Sequence, residues 1–309
     1  VPDSALALDI GATKLAVALV APDGEVVRAE RTPTRRDEGP DAVLERLFAL
    51  ADRVRADTGV AAVGIACGGP LDTRTGVLLG PLHLPGWDHV EIVRLVQERF
   101  GVPAVLANDA SAGAWGESRA GAAKGAGSAV YLTVSSGLGG GAVLDGRLLT
   151  GATGNGGELG HVCVRPGGRR CTCGRRGCAE AYVAGTQLVG RAREAMAAGR
   201  ASALAQVTVL DAEAIVRRAG SDDLARELWA DALDCLGQLV TDLVHVLEPE
   251  VVVLDGGLTK QPDLLDAVRM AVGRDAMAPL RRVVRIERSG LGGAAPAVGA
   301  GLLALERAA

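Results

Sequence analysis

The sequence predicts an α/β fold in two lobes, built by internal duplication. Three observations carry this. Apolar strand runs alternate with stretches of helical period along the chain. One pattern, strand, small-residue turn, strand, Asp-Gly turn, occurs twice. The 309 residues, at roughly 100 to 200 per domain, make about two domains, each able to bury its own core.

The elements follow in order. Ala5–Ile10 is an apolar run broken by Gly11-Ala12-Thr13-Lys14, resumed by Leu15–Val20 and stopped by Pro22-Asp23-Gly24, which is a hairpin pattern. Residues 41–58 place Val43, Leu44, Leu47, Leu50, Ala51 and Val54 on one helical face. A buried strand is expected over 60–66, a helix over 90–100, and a strand over 104–107 that ends at Asn108-Asp109 and leads into a helix over 110–118. The opening pattern then recurs: a strand at 129–134, a Gly/Ser turn at 135–141, a strand at 142–144, then Asp145-Gly146. A loop-rich region over 150–179 precedes helices over 182–198, 211–219 and 222–247, a strand at 251–254 ending in Asp255-Gly256-Gly257, and a helical tail over 297–307. The expected division is a small lobe of residues 1–116, with the final helix 297–309 packing back on it, and a large lobe of residues 117–296; a ligand would lie between them.

Composition removes several classes. With 48% hydrophobic and 23% charged residues the chain is not disordered. A net charge of -4, with no basic tract beyond Arg35-Arg36 and Arg281-Arg282, disfavours nucleic acid as a partner. No apolar run approaches the ~18 to 20 residues of a membrane span, and Val1-Pro2-Asp3-Ser4 does not read as a signal peptide, so a cytoplasmic protein is expected. The 43 glycines, against 3 Trp, 2 Tyr and 2 Phe, imply close backbone approaches to packing partners or a ligand.

Both Gly/Ser/Thr-rich turns offer backbone N–H groups and hydroxyls suited to phosphate oxygens, although neither is a Walker A loop and either alone could be only a tight turn. Lys14 could supply a phosphate charge or be a solvated side chain. Asp9 ends an apolar run, where a carboxylate needs a partner such as a hydrated Mg2+ or a hydroxyl; the alternative is a turn cap. Asp109 stands where a strand meets a helix, either as an ordinary N-cap or as the base that takes a proton from an acceptor hydroxyl. His161 with Cys171, Cys173 and Cys178 forms a Cys3His set, which in a reducing compartment reads as structural zinc with no open coordination position; a disulfide is the competing reading. Cys67, Cys163 and Cys235 lie in apolar runs and read as core. Glu158 and Glu180 flank the cluster, where a metal-pinned loop would fix them for hydrogen bonds to a polyol, although either could be a surface acid.

Together these motifs resemble the ROK family (repressor, open reading frame, kinase) of sugar kinases and regulators. Leu8-Asp9-Ile10-Gly11-Ala12-Thr13-Lys14 is similar to its first phosphate motif, Asn108-Asp109-Ala110 to its catalytic segment, and residues 135–141 to its second phosphate motif. Glu158-Leu159-Gly160-His161 joined to Cys171-x-Cys173-Gly174-x-x-Gly177-Cys178-x-Glu180 is the most specific match. The resemblance implies a two-lobed actin-like ATPase fold (ribonuclease H-like, as in hexokinase) with a structural zinc loop, binding a sugar and Mg-ATP. It implies Asp109 as the base for a sugar hydroxyl, usually O6. Asn108, Glu158, His161 and Glu180 would hold the hydroxyls, with Gly68 and Gly69 lining the sugar pocket. Asp9, Gly11, Ala12, Thr13, Lys14, Ser135, Ser136 and Gly137 would hold the nucleotide phosphates, and Gly256-Gly257 would lie beside its adenosine. His161 would use one ring nitrogen for zinc and the other for the sugar. A dimer or dimer of dimers is also implied.

Regulators of the family carry an additional N-terminal DNA-binding segment, whereas here the phosphate motif begins within ten residues, so a DNA-binding role is not expected. Three positions depart from the pattern: Gly11-Ala12-Thr13 replaces the commoner Gly-Gly-Thr, Ser135-Ser136-Gly137 stands where glucokinases usually show Gly-Thr-Gly, and His83 occupies a site that is often Asn. Glucokinase is the first expectation, because glucokinases are the most numerous bacterial members. N-acetylmannosamine kinase, which the Ser-rich loop resembles, another hexose kinase, polyphosphate as donor and a non-catalytic sugar sensor stay open.

Overall fold

A computed structural model describes residues 3–308. Its first sheet grows from the opening hairpin. β1 (Ala5–Ile10) pairs antiparallel with β2 (Lys14–Val20), from Ala5↔Val20 to Ile10↔Leu15. β3 (Val26–Pro33) adds to β2. The chain then crosses through α1 (Pro40–Arg55) to β4 (Ala62–Cys67), and through the small ribbon of β5 (Leu71–Asp72) and β6 (Val77–Leu78) and α2 (Ile92–Phe100) to β7 (Ala104–Asn108) and α3 (Asp109–Ala120). The sheet order is β3-β2-β1-β4-β7, with β1, β4 and β7 parallel. Every residue of β1 and β4 is buried, as parallel strands covered on both faces must be.

The second sheet takes β8 (Ala129–Val134), β9 (Leu138–Leu144), β10 (Arg147–Leu148), β11 (Val251–Asp255) and β12 (Arg285–Arg288) in the order β10-β9-β8-β11-β12. In each sheet the first strand lies between the second and the fourth, so the duplication expected from the sequence is a duplication of topology. Between β10 and β11 run α4 (Glu180–Val183), α5 (Gly185–Ala197), α6 (Ala212–Arg218) and α7 (Asp223–Leu247); α8 (Pro262–Asp275) and α9 (Ala278–Arg281) precede β12, and α10 (Ala295–Ala308) ends the fold. No helix among the described residues is long and apolar enough to cross a membrane.

Two expected boundaries are corrected. Leu138–Gly141, read as turn, belongs to β9, where glycine is required by close approach: a Cβ on Gly140 would stand 2.6 Å from Leu159, and one on Gly141 the same distance from the Ala110 carbonyl. The helix expected over 182–198 is two helices, because Ala184 is extended and the Gly185 amide donates to the Ser135 carbonyl at 2.8 Å.

Two compact units result. One holds the described residues up to Tyr131, Gly141–Gly157 and those from Ser289 on; the other holds Leu132–Gly140 and Glu158–Arg288. In the first, Leu6, Leu8, Ile10, Leu47, Leu50, Ile65 and Trp87 form a fully buried core that includes the apolar face of α1. On the opposite face of its sheet small residues of the strands, Ala66 and Ala107, meet small residues of the helices, Ala112 of α3 and Ala300 of α10, so that α10 lies close on α3 and β4. A Cβ on Gly299 would collide with the Ala112 carbonyl, whereas one on Gly273, in α8, would meet nothing within 4 Å. Gly299→Ala is therefore expected to cost about 1–3 kcal/mol by overpacking, and Gly273→Ala to gain up to ~1 kcal/mol of helix propensity, both read by urea unfolding.

Glu117 lies in no motif and was not expected to matter. Its buried carboxylate, on α3, accepts from the amides of Ala122 (2.7 Å), Gly290 (3.1 Å) and Leu291 (3.0 Å) and from the Ser289 hydroxyl, tying the end of α3 to the segment that leads into α10.

Candidate active site

In the first unit the candidate residues gather at the carboxyl ends of the parallel strands, where open α/β sheets bind ligands. In register, Ile10 pairs with Cys67 and Cys67 with Asn108, so the turn after β1, Gly68-Gly69 after β4 and Asp109 after β7 lie side by side. The first phosphate turn closes with the Gly11 amide on the Lys14 carbonyl at 3.1 Å. Thr34, fully buried, clamps it from outside: its hydroxyl donates to the Gly11 carbonyl at 2.7 Å and its amide to the Thr13 carbonyl at 3.0 Å. Sequence reasoning missed Thr34, which lies in no motif.

Asn108, not Asp109, caps α3: its Oδ1 accepts from the amides of Ala110 (3.0 Å) and Ser111 (3.2 Å). The N-cap reading of Asp109 is thereby corrected. Asp109 is the first helical residue, partly exposed, with Oδ1 accepting from Ala110 at 2.8 Å. Burial holds its carboxyl above the ordinary range, against the lowering effects of the Ala110 amide and of His83. Asp9 is pushed up to about 7, by burial first and by the charge of Asp109 second, with Lys14 opposing. Asp9, buried at the end of β1 beside the first phosphate turn, is a hard oxygen donor of the kind that would hold the Mg2+ accompanying a nucleotide. The buried Cys67 thiol is also pushed up, by burial and both carboxylates, so it stays protonated and packs as core. Asn155, a second residue the sequence did not single out, exchanges hydrogen bonds with the backbone of Leu71 at 3.1 and 2.6 Å.

In the second unit, His161, Cys171, Cys173 and Cys178 bring their ligand atoms within 4.8 Å of one another. The Cys171 Sγ to His161 Nδ1 distance is 3.6 Å and the Cys173 Sγ to Cys178 Sγ distance is 3.7 Å. A tetrahedron with zinc–sulfur bonds of ~2.3 Å has edges of roughly 3.8 Å, so the set fits zinc. All six cysteines, each among the described residues, are free, which removes the disulfide reading. Burial and its neighbouring thiols push Cys178 up to about 12 and burial raises Cys171, whereas at Cys173 burial is outweighed by hydrogen bonds from the Arg175 backbone and the neighbouring thiols and the pKa falls. Cys163, expected in the core, is instead half-buried in the same loop, its thiol 3.6 Å from the Arg176 carbonyl.

The flanking carboxylates are placed by this loop. Glu180 opens α4, with Oε1 accepting from the Thr172 hydroxyl at 3.2 Å and Oε2 from the Leu138 amide at 3.4 Å, so it joins the cysteine loop to the second phosphate turn. Glu158 is exposed, its Oε2 3.9 Å from His161 Nε2, the ring nitrogen turned away from Cys171. The Ser135–Gly137 turn closes through the Ser135 amide on the Gly137 carbonyl at 3.0 Å. It is anchored from α5, where the Thr186 hydroxyl donates to the Ser136 carbonyl at 2.8 Å. Gly256, at φ 101°, lies against the Val134 carbonyl with no room for a side chain, and Gly257 begins the short 3-10 turn that follows.

Two sheets of one topology, each with a small-residue turn after its first strand, together with a Cys3His loop flanked by carboxylates, define a class of phosphate- and polyol-handling proteins. The chain belongs to the ROK family, whose profile matches residues 5–307. It is 34% identical over 265 residues to the N-acetylmannosamine kinase of Salmonella typhi, covering 85% of this chain and 86% of that protein. It matches the ROK hexokinase of Thermus thermophilus with a TM-score of 0.83 and 35% identity, over 98% of each chain. With the ROK family glucokinase of Streptomyces griseus, solved in complex with glucose and AMPPNP, the TM-score is 0.83 and the identity 30%, over 98% of this chain and 99% of that one.

Proposed function

We infer that this ROK family chain is an ATP-dependent sugar kinase, and we propose that it transfers the γ-phosphoryl group of ATP to the 6-hydroxyl of a hexose, with glucose the preferred acceptor. The observation that carries the reading is Asp109: capping of α3 falls to Asn108, which leaves an acid of raised pKa at the strand ends, beside the first phosphate turn. In phosphoryl transfer the protein has little covalent work to do, and a carboxylate that takes the acceptor proton is the one group it must supply.

Asp109 accepts the proton of O6 as that oxygen attacks. Gly68, Gly69, Asn108, Glu158, His161 and Glu180 hold the remaining hydroxyls and fix the sugar's orientation. Asp9 faces the cation that accompanies ATP; Gly11, Ala12, Thr13 and Lys14, with Ser135, Ser136 and Gly137, hold its phosphates, and Gly256 and Gly257 its adenosine. Mg2+ offsets the charge of the transferring group. Zinc at His161, Cys171, Cys173 and Cys178 is structural: the set is closed, with no position left for a reacting water. The work is placed in the cytoplasm, where ATP and reduced thiols coexist.

Glucose stands first because a ROK hexokinase and a ROK glucokinase are similar to this chain over nearly its whole length. N-acetylmannosamine is the second reading, favoured by the similarity to the Salmonella enzyme and by the Ser135-Ser136 pair. Comparing kcat/KM for glucose, N-acetylmannosamine, N-acetylglucosamine, mannose and fructose with Mg-ATP distinguishes them. Glucose is expected to lead by about tenfold or more. A lead for N-acetylmannosamine would replace the substrate and keep the reaction.

A further inference from the structure

The zinc set takes Cys171, Cys173 and Cys178; Cys163 lies in the same loop outside that set, its thiol free and the residue half-buried. The fold places it opposite a ligand. Residues 163 and 178 face each other across an isolated antiparallel bridge. The Val164 amide donates to the Gly177 carbonyl at 2.9 Å and the Ala179 amide to the Val162 carbonyl at 3.0 Å, so the hydrogen bonds flank the pair instead of joining it. Non-hydrogen-bonded pairs of this kind stand about 4.5 Å apart at Cα, with both side chains on one face. That separation lies within the ~4.4 to 6.8 Å that a disulfide spans. The Cys163 sulfur also leans toward the opposite segment: it is 3.6 Å from the Arg176 carbonyl, and a Cβ on Gly177, at φ 84°, would stand 3.0 Å from it. Cys178, by contrast, is fully buried, its Sγ 3.7 Å from that of Cys173.

We propose that Cys163 is a modification site: a peroxide couples it to Cys178 as a disulfide, which withdraws one of the four zinc ligands and releases the metal. The proposal rests on the reading of the Cys3His set as structural zinc. A disulfide within the set would have to take two ligands at once, whereas the Cys163 pairing takes only one. The chemistry balances in two steps. The more accessible thiol, Cys163, attacks one peroxide oxygen; the O–O bond breaks, a sulfenic acid forms on Cys163, and the other oxygen leaves as water. The Cys178 thiolate then attacks the Cys163 sulfur, forming the S–S bond and breaking the S–O bond, and hydroxide leaves. The two sulfurs together give up two electrons and the peroxide takes both. A dithiol reductant returns two thiols. While Cys178 is withdrawn, the loop that presents Glu158 and Glu180 has lost its anchor, so oxidation lowers sugar affinity reversibly.

The test treats the reduced, zinc-loaded chain with hydrogen peroxide. Zinc release is followed with a chromogenic chelator, and disulfides are mapped by mass spectrometry after the remaining thiols are alkylated. The wild type is expected to release about one zinc per chain and to yield a crosslink between Cys163 and Cys178, both reversed by dithiothreitol with added zinc. Cys163→Ser, with Cys163→Ala as a second variant, is expected to hold zinc as purified and to release it at least about fivefold more slowly at the same peroxide concentration. Release at the wild-type rate from these variants overturns the proposal, and so does a map that joins Cys173 to Cys178 and leaves Cys163 alkylated. Wild-type protein that holds no zinc before treatment overturns the zinc reading and the release with it, a failure told apart from the other two because it precedes oxidation.

Discussion

Asp109→Asn is expected to lower kcat by about 10²- to 10⁴-fold while sugar affinity, read by calorimetry, changes little. The substitution keeps the size of the side chain and an oxygen that can accept from Ala110, and the cap of α3 is supplied by Asn108, so the start of the helix should survive. What is lost is the ability to take a proton. The same group sets the acid limb of the wild-type enzyme. Its pKa is raised by burial, so the ionised, active form is lost as pH falls through that raised value, earlier than for an ordinary aspartate. Unchanged turnover in the variant would remove Asp109 as the base, whatever the sugar.

Removal of zinc is the second large effect. Three of the four ligands sit within the eight positions from Cys171 to Cys178; the loop's turns close by backbone bonds such as the Cys171 amide on the Arg175 carbonyl at 2.8 Å, but the side-chain bonds that tie His161 and Glu180 to it are exposed, Arg175 Nη1 on the His161 carbonyl at 3.3 Å and the Thr172 hydroxyl on Glu180 at 3.2 Å. With the metal in place, His161 Nδ1 is held on the cluster side and Nε2 on the side of Glu158. Without it, Cys171 and Cys178, which burial holds above the ordinary thiol range, would keep their protons, and the ring would lose its strongest tie to the cluster. Chelation, or Cys178→Ser, is expected to abolish sugar binding and to open residues 158–180 to proteolysis, with a zinc content of about one per chain falling to zero on chelation. Metal-free protein that binds sugar normally would contradict the scaffold role.

Much of the fold was legible because its signals are local. The strand, turn, strand pattern that occurs twice reports two sheets of one order. The buried face of α1 consists of the same six residues that the helical period selects. What escaped was governed by context. β3 and β12 each lie at one edge of their sheet, and Arg28, Glu30, Arg31, Arg285 and Glu287, charges that suit an exposed edge, hide their strand character. α8 begins at Pro262, a residue that reads as a breaker but is compatible with the first turn of a helix.

The candidate site divides in the same way. The Cys3His cluster was readable because tetrahedral chemistry constrains both residue type and spacing, and the four side chains do converge. Asp109 was readable as a residue at the meeting of strand and helix, but the sequence did not say which of two neighbours caps α3, and the coordinates give that to Asn108. Thr34, Asn155 and Thr186 act by holding backbone from a distance of many residues, and a lone Thr or Asn in a sequence carries no sign of that. His83 was visible only as a departure from a common Asn, and that its ring rests against Gly68 emerges only in the fold.

The most direct test of the kinase reading follows the phosphoryl group itself. Purified protein with Mg-ATP and glucose is sampled over time, and ADP, free phosphate and hexose phosphate are quantified by mass spectrometry. ADP and hexose 6-phosphate appearing in equal amounts, only when sugar is present and not with Asp109→Asn, is the expected result. Sugar that binds without being phosphorylated, or ATP split to free phosphate with no phosphorylated sugar, would contradict it.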